Sequence, residues 1–299
     1  MTFIRREMSI TIRQAQAQTK QQETGPLTPA GDDTVTLTGH RCEAIVVNPG
    51  GNLSMSQLQL RVFGMKASDM NKFVTPVARL GVRNDVIKLS AGDASFGMHQ
   101  VFEGTIGSAV INYSGIPEVA FDVYAQGGLF EKIKPAAANS YEGEVDVATI
   151  VQAIAKQMGL AFRDYGVKVK LSNQYLHGTL TDQLYAVCTA ARVPCSIENG
   201  TVSIWPNDGG TDAAEVELSP QTGLVGYPIL TPNGIQAVCE FNPAFHLGAK
   251  VRLVTSVPRA AGTWFVQNMR HELATEQPQG IWFTTLMLAE PGFYVSRWY

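Results

Sequence analysis

Short runs in which apolar and polar residues alternate recur along most of this chain. In the clearest run, residues 57–63, every second side chain from Leu58 to Val62 is apolar. Such alternation is typical of a β-strand with one buried face. Similar runs recur over residues 34–126 and 235–289, and turn-forming Gly, Pro and Asn residues separate them. The pattern predicts six or seven strands in the first stretch and a mainly β protein.

Residues 143–206 show a different pattern. Apolar residues recur at helical spacing over residues 146–159, where Asp146 suits an N-cap and Gly159 a helix end. A second helix is predicted over about residues 181–192. Residues 195–204 alternate around Asn199-Gly200, a dipeptide that favours a tight β-hairpin. This stretch predicts a small α+β domain, so the chain as a whole is α+β.

We therefore expect four regions. Residues 1–33 form an N-terminal strand and an extended arm, 34–142 a first β-barrel or a β-sandwich, 143–206 the α+β domain, and 207–299 a second β-barrel with an aromatic C-terminal tail. The arm over residues 14–33 has too few apolar side chains to order alone. Residues 207–212 are polar and Gly-containing, which predicts a linker.

Composition limits the partners. The chain of 299 residues has 23 Lys and Arg against 26 Asp and Glu, and no basic stripe that could neutralise many phosphates. We therefore expect no stable nucleic-acid binding. Only 16% of residues are charged, which suggests surface that an assembly hides. No apolar run reaches the ~18 residues of a membrane span, and no secretory segment follows Arg5-Arg6. Synthesis and folding in the cytosol are expected.

The sequence indicates no residue for catalysis, for a cofactor or for a metal. Walker-type loops and Gly-x-Ser-x-Gly motifs are absent. The histidines lack metal-ligand spacing, and His271-Glu272 lies in a β pattern without a second histidine four residues on. The four cysteines lack it too, and they are predicted to be buried free thiols: Cys42, Cys188, Cys195 and Cys239. The chain is predicted not to be an enzyme.

Four local patterns favour structural roles. Residues 104–107, which contain two glycines, read as a turn between strands. The acidic residues Glu142, Glu144 and Asp146 read as a solvated linker that ends in a helix cap. Residues 167–169 read as a strand, and Ser68 as the cap of a short helix.

Several of these motifs, in this order, resemble bacteriophage tail baseplate hub proteins. The first-barrel part rests on Val35-Thr36-Leu37-Thr38-Gly39, Asn48-Pro49-Gly50-Gly51 and the strand that leads to Gly64-Met65. The middle and last parts rest on Gly178-Thr179-Leu180-Thr181-Asp182, Trp205-Pro206, Phe241-Asn242-Pro243, Leu247-Gly248-Ala249-Lys250 and Thr263-Trp264-Phe265-Val266. The resemblance covers nearly the whole chain from about residue 30.

The resemblance implies a fold and a role. The two barrels would be small and tail-tube-like. The protein would be a homotrimer at the centre of the tail tip, joining the six-fold tube to the three-fold tip or spike around a channel for DNA. Partners would be the tail tube or distal tail protein, the tip or spike protein and, as a further candidate, the tape measure protein. Its location would be the virion, after assembly in the host cytoplasm. Nothing resembles the lysozyme module of some hubs.

Two other classes stay open on sequence alone. A carbohydrate- or peptide-binding β protein of a virion or cell surface would show clustered exposed aromatic residues. Trp264 and Trp282 fall inside predicted strands, so support for that class is thin. A hydrolase with a site drawn from distant residues is the third class, and the missing nucleophile motif disfavours it.

Overall fold

A computed structural model describes residues 5–14, 34–75, 84–93, 96–207, 209–211 and 214–290. The predicted aromatic tail and all but residue 14 of the predicted arm lie outside these residues. The elements up to residue 133 are β1 (Arg6–Arg13), β2 (Thr34–Thr38), β3 (Cys42–Asn48), β4 (Leu53–Met55), β5 (Gln57–Phe63), α1 (Ala67–Phe73), β6 (Val86–Asp93), β7 (Gly97–Asn112), β8 (Ala120–Gln126) and α2 (Leu129–Ile133).

The remaining elements form the middle and the end of the chain. The middle contains β9 (Asn139–Asp146), α3 (Val147–Met158), β10 (Ala161–Asp164), β11 (Lys170–Leu176), α4 (Leu180–Ala191), β12 (Cys195–Glu198) and β13 (Thr201–Ile204). The end contains β14 (Val216–Leu218), β15 (Leu224–Thr231), β16 (Gly234–Glu240), β17 (Lys250–Leu253), β18 (Gly262–Thr275) and β19 (Trp282–Ala289). The predicted mainly β, α+β fold class is confirmed.

One 13-stranded sheet runs through both ends of the chain. Its first sheet unit has the order β3-β5-β8-β7-β6-β1-β2. Its second sheet unit has the order β15-β16-β19-β18, with β17 on β18 and β14 on β17. Antiparallel pairing of β18 with β3 joins the units. Among the described strands no pairing connects the two ends of either unit, so closure into barrels stays a prediction.

The two units share one strand order. Numbered along the chain, five strands of each pair as one-two-five-four-three: β3-β5-β8-β7-β6 in the first and β15-β16-β19-β18-β17 in the second. All neighbours in both series are antiparallel. Strand four carries a β-bulge against strand five in each unit, at Gly107 in β7 and at Gln267 in β18. The similarity thus extends to a local irregularity.

The first core draws on both ends of the chain. Strand β1 lies between β6 and β2 because its alternation buries Met8, Ile10 and Ile12. Phe241 and Trp282, which belong to the second sheet unit, are also buried in this core. The second core lies among β14–β19 and includes Trp205. Burial of apolar side chains across the junction therefore ties the two units together.

The middle of the chain packs helices α3 and α4 on two small sheets. One sheet has the order β10-β13-β12-β4, so a strand from the first part of the chain completes it. The predicted helix α3 is confirmed, and it ends at Gly159 in the left-handed conformation. The predicted hairpin is confirmed too, since Asn199 and Gly200 have φ of 50° and 72°. In α4, Thr179 and Asp182 form a capping box.

The prediction of a turn at residues 104–107 was wrong, because these residues lie inside β7. Gly104 is needed for close backbone approach rather than for chain reversal. A Cβ at this position would lie 2.7 Å from the backbone carbonyl of Gln126. Gly107 forms the bulge. Glycine inside a strand often has these two meanings, and both differ from a turn.

Four other local predictions were also wrong. Glu142, Glu144 and Asp146 lie on strand β9, which pairs with β11, so they are not in a linker, although Asp146 does occupy the predicted N-cap position of α3. Strand β9 also spans the predicted boundary at 142/143. Residues 167–169 precede β11 and form no strand. Helix α1 has Lys66 rather than Ser68 at its N-cap position. In the predicted linker, Thr211 is buried and donates a hydrogen bond to the Gly248 carbonyl.

Candidate assembly surfaces

The junction between the sheet units is the first candidate surface. Seven consecutive residues of β18, from Met269 to Thr275, pair with β3 from Asn48 to Cys42. Both strands alternate, so one face of the pair lies over the cores and the other faces outward. The junction therefore continues the sheet without a break in hydrogen bonding.

An aromatic cluster lies beneath this junction. The ring of Phe241 packs edge-on against both His271 and Trp282, with centroid distances of 5.3 and 5.5 Å. The guanidinium of Arg6 lies 5.8 Å from the centroid of Trp282. Burial lowers the pKa of His271 to about 4, and its Nδ1 hydrogen-bonds with the Thr284 hydroxyl at 2.8 Å. The imidazole is therefore neutral at neutral pH, and the junction buries no charge there.

The outward face of the sheet is polar and self-paired. In the first unit Arg61 donates two hydrogen bonds, of 2.7 and 3.1 Å, to Asp122. These bonds lower the pKa of Asp122, with desolvation opposing them. In the second unit Arg270 donates to Glu272 at 2.6 and 3.0 Å. These charges are therefore each neutralised by a near neighbour on the same face.

Exposed apolar side chains are concentrated on two strands, and these form the second and third candidate surfaces. Strand β15 exposes Val225, Tyr227, Ile229 and Leu230 to between 42% and 75%. The end of β7 and the turn after it expose Val110, Tyr113 and Ile116 to between 55% and 72%. Clustered exposed apolar residues mark interaction sites more often than scattered ones do. Strand β15 lies at an edge of the sheet, whereas the end of β7 extends beyond its pairing with β6 and exposes Val110 on the same face as Asp122.

The α+β region is fixed to the first sheet unit. Strand β4 pairs with β12 in parallel, and the Ser56 amide donates to the Ile197 carbonyl at 3.3 Å. At the hairpin tip, the Asn199 side-chain amide donates to the Gln100 carbonyl at 3.4 Å. Burial in this hairpin raises the pKa of Glu198 to about 7. These contacts fix the orientation of the region on the sheet.

The residue types that could carry chemistry form no larger cluster in the described residues, although the thiols of Cys188 and Cys195 lie close to each other. The cysteines are free and buried, as predicted. Burial raises the pKa of Cys42 and Cys239 to about 12, so their thiols stay protonated. Across the described ranges no group of three or more His, Cys, Asp or Glu side chains is placed to hold a metal ion. In the same residues no helix is both long and apolar enough to cross a membrane.

Sequence reasoning missed the two exposed apolar surfaces. Strand β15 was not predicted, although residues 223–231 contain Val, Tyr, Ile and Leu near a turn-forming Pro and Gly. This segment is rich in β-forming residue types, but its apolar and polar residues do not alternate. Such a run predicts a strand only when both of its faces meet other protein.

Solved structures with a similar fold include two tail proteins. The tail protein from Neisseria meningitidis MC58 has a TM-score of 0.62 at 10% identity, over 96% of this chain and 98% of that one. The 43 kDa tail protein of prophage MuSo2 from Shewanella oneidensis has a TM-score of 0.61 at 7% identity, with the same coverage. At these identities the likeness shows the fold alone.

A third similar structure is the c3393 protein of E. coli. It is described as a type VI secretion component with structural similarity to the T4 bacteriophage tail proteins gp27 and gp5. Its TM-score is 0.54 at 11% identity, over 87% of this chain and 75% of that one. A comparison with curated proteins found no match.

A family model adds what fold alone cannot show. The model described as baseplate hub gp41 matches residues 57–285, which include most of both sheet units and the whole α+β region. The match covers well over half of the chain, and the resemblance seen in the sequence agrees with it. The chain therefore belongs to the baseplate hub gp41 family, and its role is that of a structural protein of a phage tail.

Proposed function

We propose that three copies form a ring at the centre of the baseplate, with a channel through which DNA passes. The ring would join the six-fold tail tube to the three-fold tip or spike. The observation that carries this proposal is the strand order shared by the two sheet units. A six-fold partner presents six equivalent surfaces, and three chains can meet all of them only if each offers two similar ones.

Further features support the proposal. The shared order includes the bulge on strand four, so the two units can present similar backbone to one partner. The low charge and the internally paired ions of the outward face suit a passage that does not hold DNA. The proposed neighbours are the tail tube or distal tail protein, the tip or spike protein and the tape measure protein. The proposed location is the virion, after assembly in the host cytoplasm.

The test is the mass and shape of the purified protein. Sedimentation velocity over a range of concentrations should give a species of three chains, and electron microscopy should show a ring with a central hole. The double variant Phe241→Ala/Trp282→Ala, which should loosen the junction, should give irregular particles. Compact particles without a hole, or a different number of chains, would contradict the proposal.

We also propose that the protein performs no catalysis. A structural family and dispersed titratable residues support this. The check is to incubate the purified protein with peptidoglycan and with a general peptide substrate. No turnover above a heat-denatured sample is expected, and clearing of peptidoglycan would refute the proposal.

A further inference from the structure

The tip of the β12–β13 hairpin, residues 197–201, rests on the first sheet unit. The amide and the hydroxyl of Ser56 each lie 3.3 Å from the Ile197 carbonyl oxygen, to which both donate. The side-chain amide of Asn199 donates to the Gln100 carbonyl of β7 at 3.4 Å. All three bonds are longer than the usual length of about 2.9 Å, so they hold the tip weakly.

The apolar side chains of the hairpin do not hold it on that unit. They are buried instead in the core formed with α3 and α4, and they are Cys195, Ile197, Val202 and Ile204. Among the described residues, the core of the first sheet unit contains no side chain of the hairpin. The tip can therefore move away from the unit without exposing the core of the unit.

Glu198 lies between the two residues of the tip that make these hydrogen bonds. Its Oε1 atom is buried and has no hydrogen-bond partner among the described residues. An ionised carboxylate in such a place loses its hydration without compensation, whereas the neutral acid loses much less. Burial accordingly raises the pKa of Glu198 to about 7. Ionisation of this group therefore favours a conformation in which water reaches Oε1.

The elements around Glu198 supply no counter-charge. Strands β4 and β13 contain no ionisable side chain. The charged or titratable side chains of the other neighbouring elements are His99 and Glu103 on β7, Lys88 and Asp93 on β6, and Glu131 and Lys132 on α2. Glu103, whose Oε2 would lie 3.3 Å from a Cβ on Gly200, is also acidic, and it is already paired with Lys88 at 3.0 Å. Burial alone shifts the pKa of Glu198, so none of these charges offsets its ionisation.

We infer that the hairpin tip is a pH-sensitive contact, which stays closed on the first sheet unit while Glu198 is protonated and opens when Glu198 ionises. Opening frees residues 197–201 and uncovers Ser56. The parallel pairing of β12 with β4 at Cys195 and Ser196 then serves as the hinge. The α+β region is held there by one short pairing, which lets it tilt on the sheet. The inference goes beyond the proposed ring and does not depend on the number of chains in it.

The size of the effect follows from linkage between opening and proton binding. In the open state the carboxyl group is hydrated and its pKa returns to the ordinary 4.5, against about 7 in the closed state. At about pH 6 the closed state is mostly protonated, and at about pH 8.5 it is mostly ionised. The equilibrium constant for opening should therefore rise about tenfold between these two pH values and level off above them.

Thiol labelling measures this opening. Ser56→Cys places a thiol where the side chain is 2% exposed, and the native cysteines are buried. Its labelling rate with a small disulfide reagent is compared at each pH with that of Ser56→Cys/Glu198→Gln, so that ionisation of the thiol cancels. The ratio of the two rates should rise about tenfold from about pH 6 to about pH 8.5. The matched control is Glu144→Gln, which removes an exposed carboxyl group on β9 of the same region and should leave the rate unchanged.

Hydrogen exchange of the unmodified protein gives a second readout, which needs no variant to fold. The Ser56 amide donates to the Ile197 carbonyl across the contact. Its protection, corrected for intrinsic exchange, should fall about tenfold over the same pH range. Amides in the β3–β18 pairing should keep their protection, because His271, with a pKa of about 4, stays neutral throughout.

Either experiment can overturn the inference. A labelling ratio that does not change with pH would do so, as would equal protection of the Ser56 amide at both pH values. The mass and shape that test the ring do not enter either readout, so the ring and the pH-sensitive contact can fail separately. A tenfold change in both experiments, with the Glu144→Gln control unaffected, is the expected result.

Discussion

The two sheet units have the same five-strand order but differ in what surrounds strand one. In the first unit β3 is paired on both edges, and the connection from strand one to strand two carries β4, which completes a sheet of the α+β region. In the second unit β15 is paired on one edge and turns tightly into β16. Strand one can thus be paired on both edges within the chain, as β3 is, or on one edge only among the described strands, as β15 is.

The largest effect is expected from removing the aromatic side chain of Phe241, which the second unit contributes to the first core. Phe241→Ala should lower the free energy of unfolding by about 3–5 kcal/mol, because it leaves a cavity between Trp282 and His271. Urea denaturation measures this. Tyr185→Ala, on an exposed side chain, should change the free energy by less than about 0.5 kcal/mol. Equal effects would show that the junction is not packed as described.

The tight turn of the second unit gives the next largest effect. Gly234 has a φ of 131°, and a Cβ there would lie 2.0 Å from the Leu288 carbonyl oxygen. Gly234→Ala should therefore cost about 2–3 kcal/mol and loosen β15. Gly226→Ala is the matched control, since Gly226 has a φ of 68° and open space around it; it should cost about 1 kcal/mol. Hydrogen exchange of the β15 amides would report the local loosening.

Acid should destabilise the junction between the two units. The pKa of His271 is about 4 in the folded protein and near its ordinary 6.5 when unfolded. Below pH 6.5 the imidazole of the unfolded chain becomes protonated, whereas that of the folded chain stays neutral down to about pH 4. The free energy of unfolding therefore falls as the pH is lowered towards 4. Between about pH 7 and pH 4.5 this loss is about 2 kcal/mol. His271→Gln should remove it, which urea titrations at both pH values would measure.

The carboxyl group of Glu198 predicts the opposite trend for the α+β region. Its pKa is raised to about 7, so the folded protein holds a proton that the unfolded chain has released. The stabilisation that this bound proton gives the folded state is complete below the ordinary pKa of a glutamate, and it is lost as the pH rises through 7. Glu198→Gln should abolish the dependence. A persistent slope in the variant would assign the effect to another group.

The smallest effect concerns the outward face of the two units. Breaking the exposed pairs with Arg61→Met or Arg270→Met should change the free energy of unfolding by less than about 1 kcal/mol, because water screens both. The two variants should behave alike and lose their effect in high salt. A large loss in only one unit would show that the outward faces are not equivalent.

Much of the fold followed from periodicity in the sequence. The alternation of β5 and the helical spacing of α3 gave both elements, because each buries one face. Strand β9 was missed because both of its faces are largely exposed, so its Glu142 and Glu144 resemble a linker. Strand β7 was divided in two because Gly104 and Gly107 resemble a turn when their close backbone neighbours are unknown.

The candidate surfaces could be predicted only in part. The sequence showed low charge and no constellation for chemistry, which pointed to an assembly role. It could not show that β18 pairs with β3, because the partner of a strand depends on contacts far apart in the chain. Likewise, β15 has β-forming residues but no alternation, and its open edge becomes visible only once the equivalent strand β3 is seen to be paired.

The β3–β18 pairing has a consequence for synthesis. Roughly two hundred residues separate the two strands along the chain. Because a ribosome adds about 5–20 residues per second, β18 is synthesised about 10–40 seconds after β3. During that time the first unit emerges with an uncovered edge and without Phe241 and Trp282 in its core. On a polysome, each unfinished β3 is therefore open to β18 of a neighbouring chain. The tether of the ribosome-bound chain favours its own β18 once that strand emerges, since the effective concentration of a linked strand is high.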